Sequence, residues 1–311
     1  MQVFRTFEDL AGHSHSVCLA IGVFDGLHLG HQRVIGRARD DARASGGTSV
    51  VLTFDPHPMR VLQPKKAPLL LTSTPHKLAL MEKLGVDGCL LLTFDKAFSL
   101  TPAEQFIDRV ASHANHLQEI CVGTRFRFGH DRAGDVRLME KLAPKYGYVA
   151  KEIQSVKLDD EMVSSTAIRQ HVLHGRLDRA AAMLGRHFSI LGTVEPGDHR
   201  GRELGFPTAN LNRHDEVLPP DGVYAVRVTI GAEQFGGVVN IGVRPTFGEA
   251  EPRRVLEVHV LDLARDLYAK DVEVVFLSKL RDEKKFASVD ALKSQIAADI
   301  QAARKILKSQ S

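Results

Sequence analysis

The 311-residue chain carries 41 Lys and Arg against 38 Asp and Glu, a formal net charge of +3, which argues against the strong basic field of a nonspecific nucleic-acid binder. Cys18, Cys89 and Cys121 are scattered through apolar runs with no Cys-x-x-Cys pair, which speaks against zinc and disulfides and for a reducing compartment. With no apolar signal core near the start and no run approaching the ~20 apolar residues that span a bilayer, a cytoplasmic protein with no membrane partner is expected.

The length allows two domains, each with its own core. Up to about residue 185, apolar runs at 17–23, 49–54, 88–94, 119–122 and 148–156 read as strands alternating with helical patterns. Continuous apolar strands separated by helices imply an α/β fold, a doubly wound parallel sheet covered on both faces. The first run leads into Gly22-Val23-Phe24-Asp25-Gly26-Leu27-His28-Leu29-Gly30-His31 and then a helical stretch. Glycines at a strand-to-helix turn let backbone approach phosphate, the helix start offers N–H groups, and His28 and His31 reach the same side. Gly22, Phe24, Asp25 and Gly30 are therefore candidate nucleotide contacts. Two other His-x-x-His pairs, His113 with His116 and His171 with His174, contain no glycine and read as solvated surface histidines. Thr101, Pro102 and Glu104 read as a helix start with Thr101 as cap, followed by a buried stripe of Phe106, Ile107 and Val110.

Segments 53–58, 94–98, 122–135 and 164–169 each follow a strand-like run and look like parts of one site. Ser164, Ser165 and Thr166, with Arg169 one turn later, offer hydroxyls, a helix start and a cation for the outer phosphates of a nucleotide; an ordinary Ser/Thr cap is the bland alternative. Pro56 and Pro58 stiffen the loop around His57, while Phe54, Phe98, Phe126 and Phe128 could stack on a flat ring system, although phenylalanines are more often core.

After Gly185 the rhythm changes. Runs at 188–194, 222–230, 236–241, 255–261 and 271–277 follow one another without helices, the pattern of an antiparallel barrel. A final helix at about 289–307 places Leu292, Ile296, Ile300, Ala303 and Leu307 on one face for docking. The change of period puts the boundary between residues 186 and 187. Within this half, Gly201-Arg202-Glu203-Leu204-Gly205-Phe206-Pro207-Thr208-Ala209-Asn210 combines glycines suited to a flap over phosphates with Thr208 and Asn210, two oxygen donors for a hard cation such as Mg²⁺. Their bland reading is a turn-rich hairpin.

Gly22 to His31, Phe54-Asp55-Pro56-His57-Pro58, Arg127-Phe128-Gly129 and Ser164-Ser165-Thr166-Ala167-Ile168-Arg169 resemble, in order and spacing, the bacterial FAD synthetase family. The second half resembles riboflavin kinase through the Gly201 to Asn210 string, Asn240 to Phe247, Leu256-Glu257-Val258-His259 and Leu280 to Phe286. The resemblance implies a bifunctional enzyme: residues 187–311 phosphorylate riboflavin with ATP to FMN, and residues 1–186 transfer AMP from a second ATP to FMN, giving FAD and pyrophosphate. It implies Mg²⁺ as cofactor, ATP and flavins as partners, and no nucleic-acid partner, with a homo-oligomer left open. The implied catalytic set is His28, His31 and Arg169 for adenylyl transfer and Glu257 as kinase base. Gly201, Arg202 and Gly205 are implied at the kinase nucleotide, and Phe54, Pro56, Pro58, Phe98, Phe126, Phe128 and Arg281 at flavin.

Three positions depart from the family pattern: Arg125 stands where Asp or Asn is usual, Ala167 where Arg is frequent, and Pro196 where His is usual. An arginine cannot accept hydrogen bonds or ligate Mg²⁺, so a kinase with a weak adenylyltransferase module is the alternative enzyme reading. A non-catalytic flavin- or RNA-binding regulator, suggested by Arg125, Arg127 and Arg132, is opposed by the retention of His28, His31, Thr208, Asn210 and Glu257.

Overall fold

The computed structural model describes residues 1–12, 15–114, 116–196, 201, 204–212, 215–244 and 253–309. They form two compact units, residues 1–69 with 74–165, and residues 70–73 with 166–311.

In the first unit, β1 (Gln2–Phe4) and β2 (Val17–Ile21) precede α1 (Leu29–Ser45), β3 (Thr48–Asp55), α2 (Pro58–Leu62), α3 (Thr74–Lys83) and β4 (Gly88–Thr93). The short α4 (Lys96–Ser99), α5 (Ala103–His113), β5 (Leu117–Gly123), α6 (Val136–Tyr146) and β6 (Val149–Ile153) complete the sheet and its cover. Among the described residues the strands are ordered β1-β4-β3-β2-β5-β6 and pair parallel throughout. The alternation of side chains along β2 divides the core in two: Val17, Leu19 and Ile21 pack on one face, Cys18 and Ala20 on the other. Burial on both faces explains why these strands read as continuous apolar runs. Chain order reverses between β2 and β5, so the loops leaving these two strands open the crevice in which such sheets bind ligands.

The helix at 103–113 buries Phe106, Ile107 and Val110 as its periodicity predicts, but Thr101 does not cap it. Pro102 takes the N-cap position without a side-chain bond. Thr101 is spent elsewhere: its N–H donates to Phe98 O at 3.0 Å and its carbonyl accepts from His130 N at 2.8 Å. A second correction concerns His171 on α7 (Ser165–Leu173), which is buried rather than solvated and accepts from Arg176 Nε at 2.9 Å.

The second unit holds most of α7, α8 (Leu177–Leu184), and a closed antiparallel barrel. After the two-stranded β7 (Lys157–Leu158) and β8 (Glu161–Met162) of the first unit, the barrel strands are β9 (Ser189–Glu195), β10 (Ala209–Asn212), β11 (Gly222–Ile230), β12 (Glu233–Arg244), β13 (Arg253–Val260) and β14 (Asp271–Arg281). They close in the order β10-β13-β12-β11-β14-β9. The strand β10 went unrecognised in the sequence because it is four residues long and ends in asparagine. The C-terminal helix Val289–Ser309 sets Ile296, Ile300, Ala303 and Leu307 against Val223, Ala225 and Val238 of the barrel. Leu307 packs directly on Gly236, where a Cβ would lie 2.4 Å from Leu307 Cδ1. Residues 70–73 are clamped into this unit by Leu70 N to Asp215 O (3.0 Å), Val217 N to Leu70 O (2.8 Å) and Ser73 N to the fully buried Glu216 Oε1 (2.8 Å).

Candidate functional sites

The loop between β2 and α1 is built around imidazole stacking. His28 is the N-cap of α1: its Nδ1 accepts from His31 N at 3.3 Å, and its ring stacks on that of His31 at 3.5 Å between centroids. A ring nitrogen that accepts carries no proton, so the neutral His28 ring carries its proton on Nε2. His31 is half-buried, its Nδ1 sealed from solvent with no hydrogen-bond partner among the described residues. Burial of the ring, then His28, then Lys77 push its pKa well below the usual 6.5.

Phe24 adopts φ +52° and Leu27 φ +41°, left-handed conformations that L side chains rarely take, so the loop stores backbone strain. The ring of Phe24 is turned inward, edge-on to His31 at 5.3 Å and against Gly22, where a Cβ would lie 2.8 Å from the ring. Phe24 thus supports His31, and its own side chain is buried. A Cβ on Gly30 would crowd the His28 ring at 3.1 Å. Asp25 is buried, and its carbonyl accepts from Ser165 Oγ at 2.9 Å, which anchors the start of α7 to this loop. Ser164 precedes that start, whereas Thr166 and Arg169 lie further along α7 in the second unit.

The aromatic residues come together. Phe54, Phe98, Phe126 and Phe128 join Phe94 and Phe106 in a chain of ring contacts with centroids 5.6–6.2 Å apart, of which Phe126 and Phe128 stack at an interplanar angle of 18°. Phe54 and Phe128 are core members, while Phe94, Phe98 and Phe126 are half-buried and give the cluster a partly exposed edge. Pro56 is exposed and Pro58 opens α2, whose N-cap His57 accepts from Met59 N through Nδ1 at 3.2 Å. Arg125 is exposed on the turn leaving β5, and Arg127 pairs with Asp135, the N-cap of α6.

In the barrel, register assembles the second site. Asn210 pairs directly with Glu257 across β10 and β13, and Asn240 pairs with Glu257 from the other side. Directly opposed residues in an antiparallel pair point to the same face, so two amides flank the carboxylate. His259, two residues on, donates its Nδ1–H to Pro207 O at 2.8 Å, which ties β13 to the Thr208 loop. Gly201 packs tightly here: a Cβ would lie 2.8 Å from Thr208 Oγ1, and its carbonyl accepts from Phe206 N at 2.8 Å. Gly205 has φ +88°, a glycine conformation. Arg202 lies outside the described residues, as do Glu203, Gly197 and residues 245–247 of the quoted motifs.

Arg281 is held by Asp299 of the C-terminal helix, with Nε to the two carboxylate oxygens at 3.1 and 3.0 Å and NH2 to Oδ2 at 2.9 Å. A cleft of about 280 Å³ lined by Val194, Thr208, Val258, Val260, Leu267 and Tyr268 opens beside Thr208. Residues 263–268 escaped the sequence reading; Tyr268, an aromatic in a loop just after the strand of Glu257, was the available signal.

Comparison with known proteins agrees with both halves. Residues 11–167 match the FAD synthetase family and residues 184–307 the riboflavin kinase family. A bifunctional riboflavin kinase/FMN adenylyltransferase of Escherichia coli K12 is 39% identical over 306 residues, 98% of this chain and 97% of that protein. Its counterpart in Haemophilus influenzae is 36% identical over 310 residues, covering 99% and 100% of the two chains. A crystal structure from Streptococcus pneumoniae, described as a macrolide-efflux protein, superposes with a TM-score of 0.81 at 31% identity over 97% of this chain and 98% of that one. Efflux belongs to that description alone; among the described residues of this chain no helix is long and apolar enough to cross a membrane. Matching families over both halves, and relatives aligned almost end to end, make this chain a member of the bifunctional riboflavin kinase/FMN adenylyltransferase family.

Proposed function

We propose that the two reactions of this riboflavin kinase and FMN adenylyltransferase are divided between the two sites described above, adenylyl transfer at His28–His31 within residues 1–186 and phosphorylation at Glu257 within residues 187–311. The observation that carries the first assignment is the stacked imidazole pair at the start of α1, in the crevice where the strand order reverses. The phosphate of FMN is already an anionic nucleophile, so the protein need not supply a strong base. His28 Nε2–H and the N–H groups of α1 hold the triphosphate, His31 donates to charge developing on the departing pyrophosphate, and Ser164 and Ser165 take its outer oxygens. The edge of Phe94, Phe98 and Phe126 packs against the isoalloxazine ring.

Riboflavin presents a neutral primary alcohol and needs a base. Glu257, fixed between Asn210 and Asn240, accepts the hydroxyl proton while the adenine of ATP rests in the cleft of Val258, Val260 and Tyr268. Thr208 and Asn210 fit a magnesium ion: both are neutral hard oxygen donors two residues apart, Thr208 just before β10 and Asn210 within it, suited to an ion that keeps most of its ligands from water and phosphate. When bound, Mg²⁺ supplies charge neutralisation at the transferred phosphoryl group. The free, buried thiols of Cys18, Cys89 and Cys121 support a reducing, cytoplasmic location.

Chromatographic separation of flavins after incubation with riboflavin or FMN, ATP and Mg²⁺ tests the division. Glu257→Gln is expected to lose at least about a hundredfold in FMN formation yet convert supplied FMN to FAD; His28→Ala is expected to accumulate FMN from riboflavin without FAD. Loss of both reactions in either variant would overturn it.

A further inference from the structure

Lys77 lies on α3, away from every motif that pointed to a site, and the fold draws its side chain under the adenylyl loop. Its Nζ donates to Val23 O at 3.3 Å, to Thr53 Oγ1 at 3.2 Å and to Phe54 O at 3.3 Å. Thr53 Oγ1 in turn donates to Val23 O at 3.0 Å, which closes a triangle of polar groups at the carboxyl ends of β2 and β3. Both Lys77 and Thr53 are buried. A buried ammonium is costly unless every proton finds an acceptor, and here all three do. Burial lowers its pKa, while Asp25, Cys89 and Asp55 act in the opposite sense.

Two of the three acceptors of Lys77 are carbonyls, those of Val23 and Phe54, beside which the loops after β2 and β3 depart. In a trans peptide the C=O and the following N–H point in opposite directions, so drawing the Val23 carbonyl toward Lys77 turns the Phe24 N–H away from it. Phe24 then sits at φ +52°, the strained position from which its ring supports His31. An ordinary reading of lysine in a helix is a solvated face; nothing in a solvated role would place its ammonium on three interior acceptors from two strands. The charge also acts on the loop directly, because Asp25 on one side and His31 on the other feel it in a poorly solvated interior.

We propose that Lys77 is a positioning residue of the adenylyl-transfer site, fixing the departure of the β2 and β3 loops and adding a buried positive charge beneath the bound triphosphate. The inference rests on reading the His28–His31 loop as that site. It places no substrate contact on Lys77, so its effect falls on the affinity for ATP more than on the chemical step.

The test uses the full chain, in which riboflavin phosphorylation by the second unit reports independently on integrity. Lys77→Met is expected to raise KM for ATP in FAD formation about tenfold or more, the scale of a lost hydrogen bond to a charged group, with a smaller change in kcat. Riboflavin phosphorylation should stay within twofold. Thr53→Val, which removes one vertex of the triangle and keeps the fold's shape, is expected to raise the same KM about threefold. An unchanged KM for ATP in either variant that folds, or a parallel fall of both activities in Thr53→Val, overturns the inference. His28→Ala separates the premise from the inference: persistence of FAD formation in that variant overturns the site reading and the inference with it. Dependence on His28 together with indifference to Lys77 overturns the inference alone.

Discussion

His31 is held as a neutral ring. Burial, His28 and Lys77 all disfavour the imidazolium, so the side chain offers hydrogen bonding rather than charge. A histidine whose folded pKa lies below its unfolded value contributes stability that is present above about pH 6.5 and lost as pH falls through and below that value, because the unfolded chain takes up the proton first. Thermal melts between pH 7.5 and 5.5 should show a shallower decline in His31→Gln than in the wild type; identical slopes would contradict a neutral buried His31. The thiols make a second case at this scale. Burial pushes Cys18 up to about 11 and Cys89 up to about 12, and it raises Cys121 further with help from Glu119. Little thiolate exists at pH 8, so a disulfide reagent should label the native protein slowly and all three cysteines promptly after denaturation. Rapid labelling of the native chain would show that these strands open.

The C-terminal helix is fastened to the barrel by one buried ion pair and one close approach. Asp299 is buried and engages Arg281 through both oxygens, with Gln295 Nε2 donating to Oδ1 at 2.8 Å. Removing the guanidinium leaves a buried carboxylate, so Arg281→Met should cost about 3 kcal/mol in denaturant titrations followed in the barrel. A loss under about 1 kcal/mol would show that the pair is solvated. Gly236→Ala drives a methyl into Leu307 and should cost about 1–3 kcal/mol. Such elements differ in how readable they are. The helix itself was plain from the spacing of Ile296, Ile300, Ala303 and Leu307, and β2 from its apolar run. The strand β10 was not, because Ala209–Asn212 alternates over only four residues, and its identity depends on pairing with β9 and β13. Lys77 was hidden for the same reason: in Thr-Pro-His-Lys-Leu-Ala-Leu-Met nothing marks the lysine as interior until α3 is laid across the ends of β2 and β3.

Over the whole molecule, the change of rhythm near residue 185 separated a parallel sheet from an antiparallel barrel, and the motifs named the chemistry of each. Strand order lay beyond the sequence, since five parallel pairings give little sign of which strand neighbours which; the reversal between β2 and β5 is what opens a crevice beside the His28–His31 loop. The Phe residues were legible as aromatics but not as a connected chain, and Asn240 became meaningful only once register set it beside Glu257. One further property of the fold bears on how its halves could be exchanged among relatives. Leu70–Ser73 interrupt the first unit in sequence but belong to the second in space, where Ser73 N–H satisfies the buried Glu216. A chimaera spliced once at residue 186 would pair its barrel with a foreign tetrapeptide, whereas one that carries residues 70–73 along with the barrel keeps that carboxylate's donor. The second design is expected to give the higher soluble yield and the higher rate of riboflavin phosphorylation. Heredity of the barrel, in that sense, is written in two places along the chain.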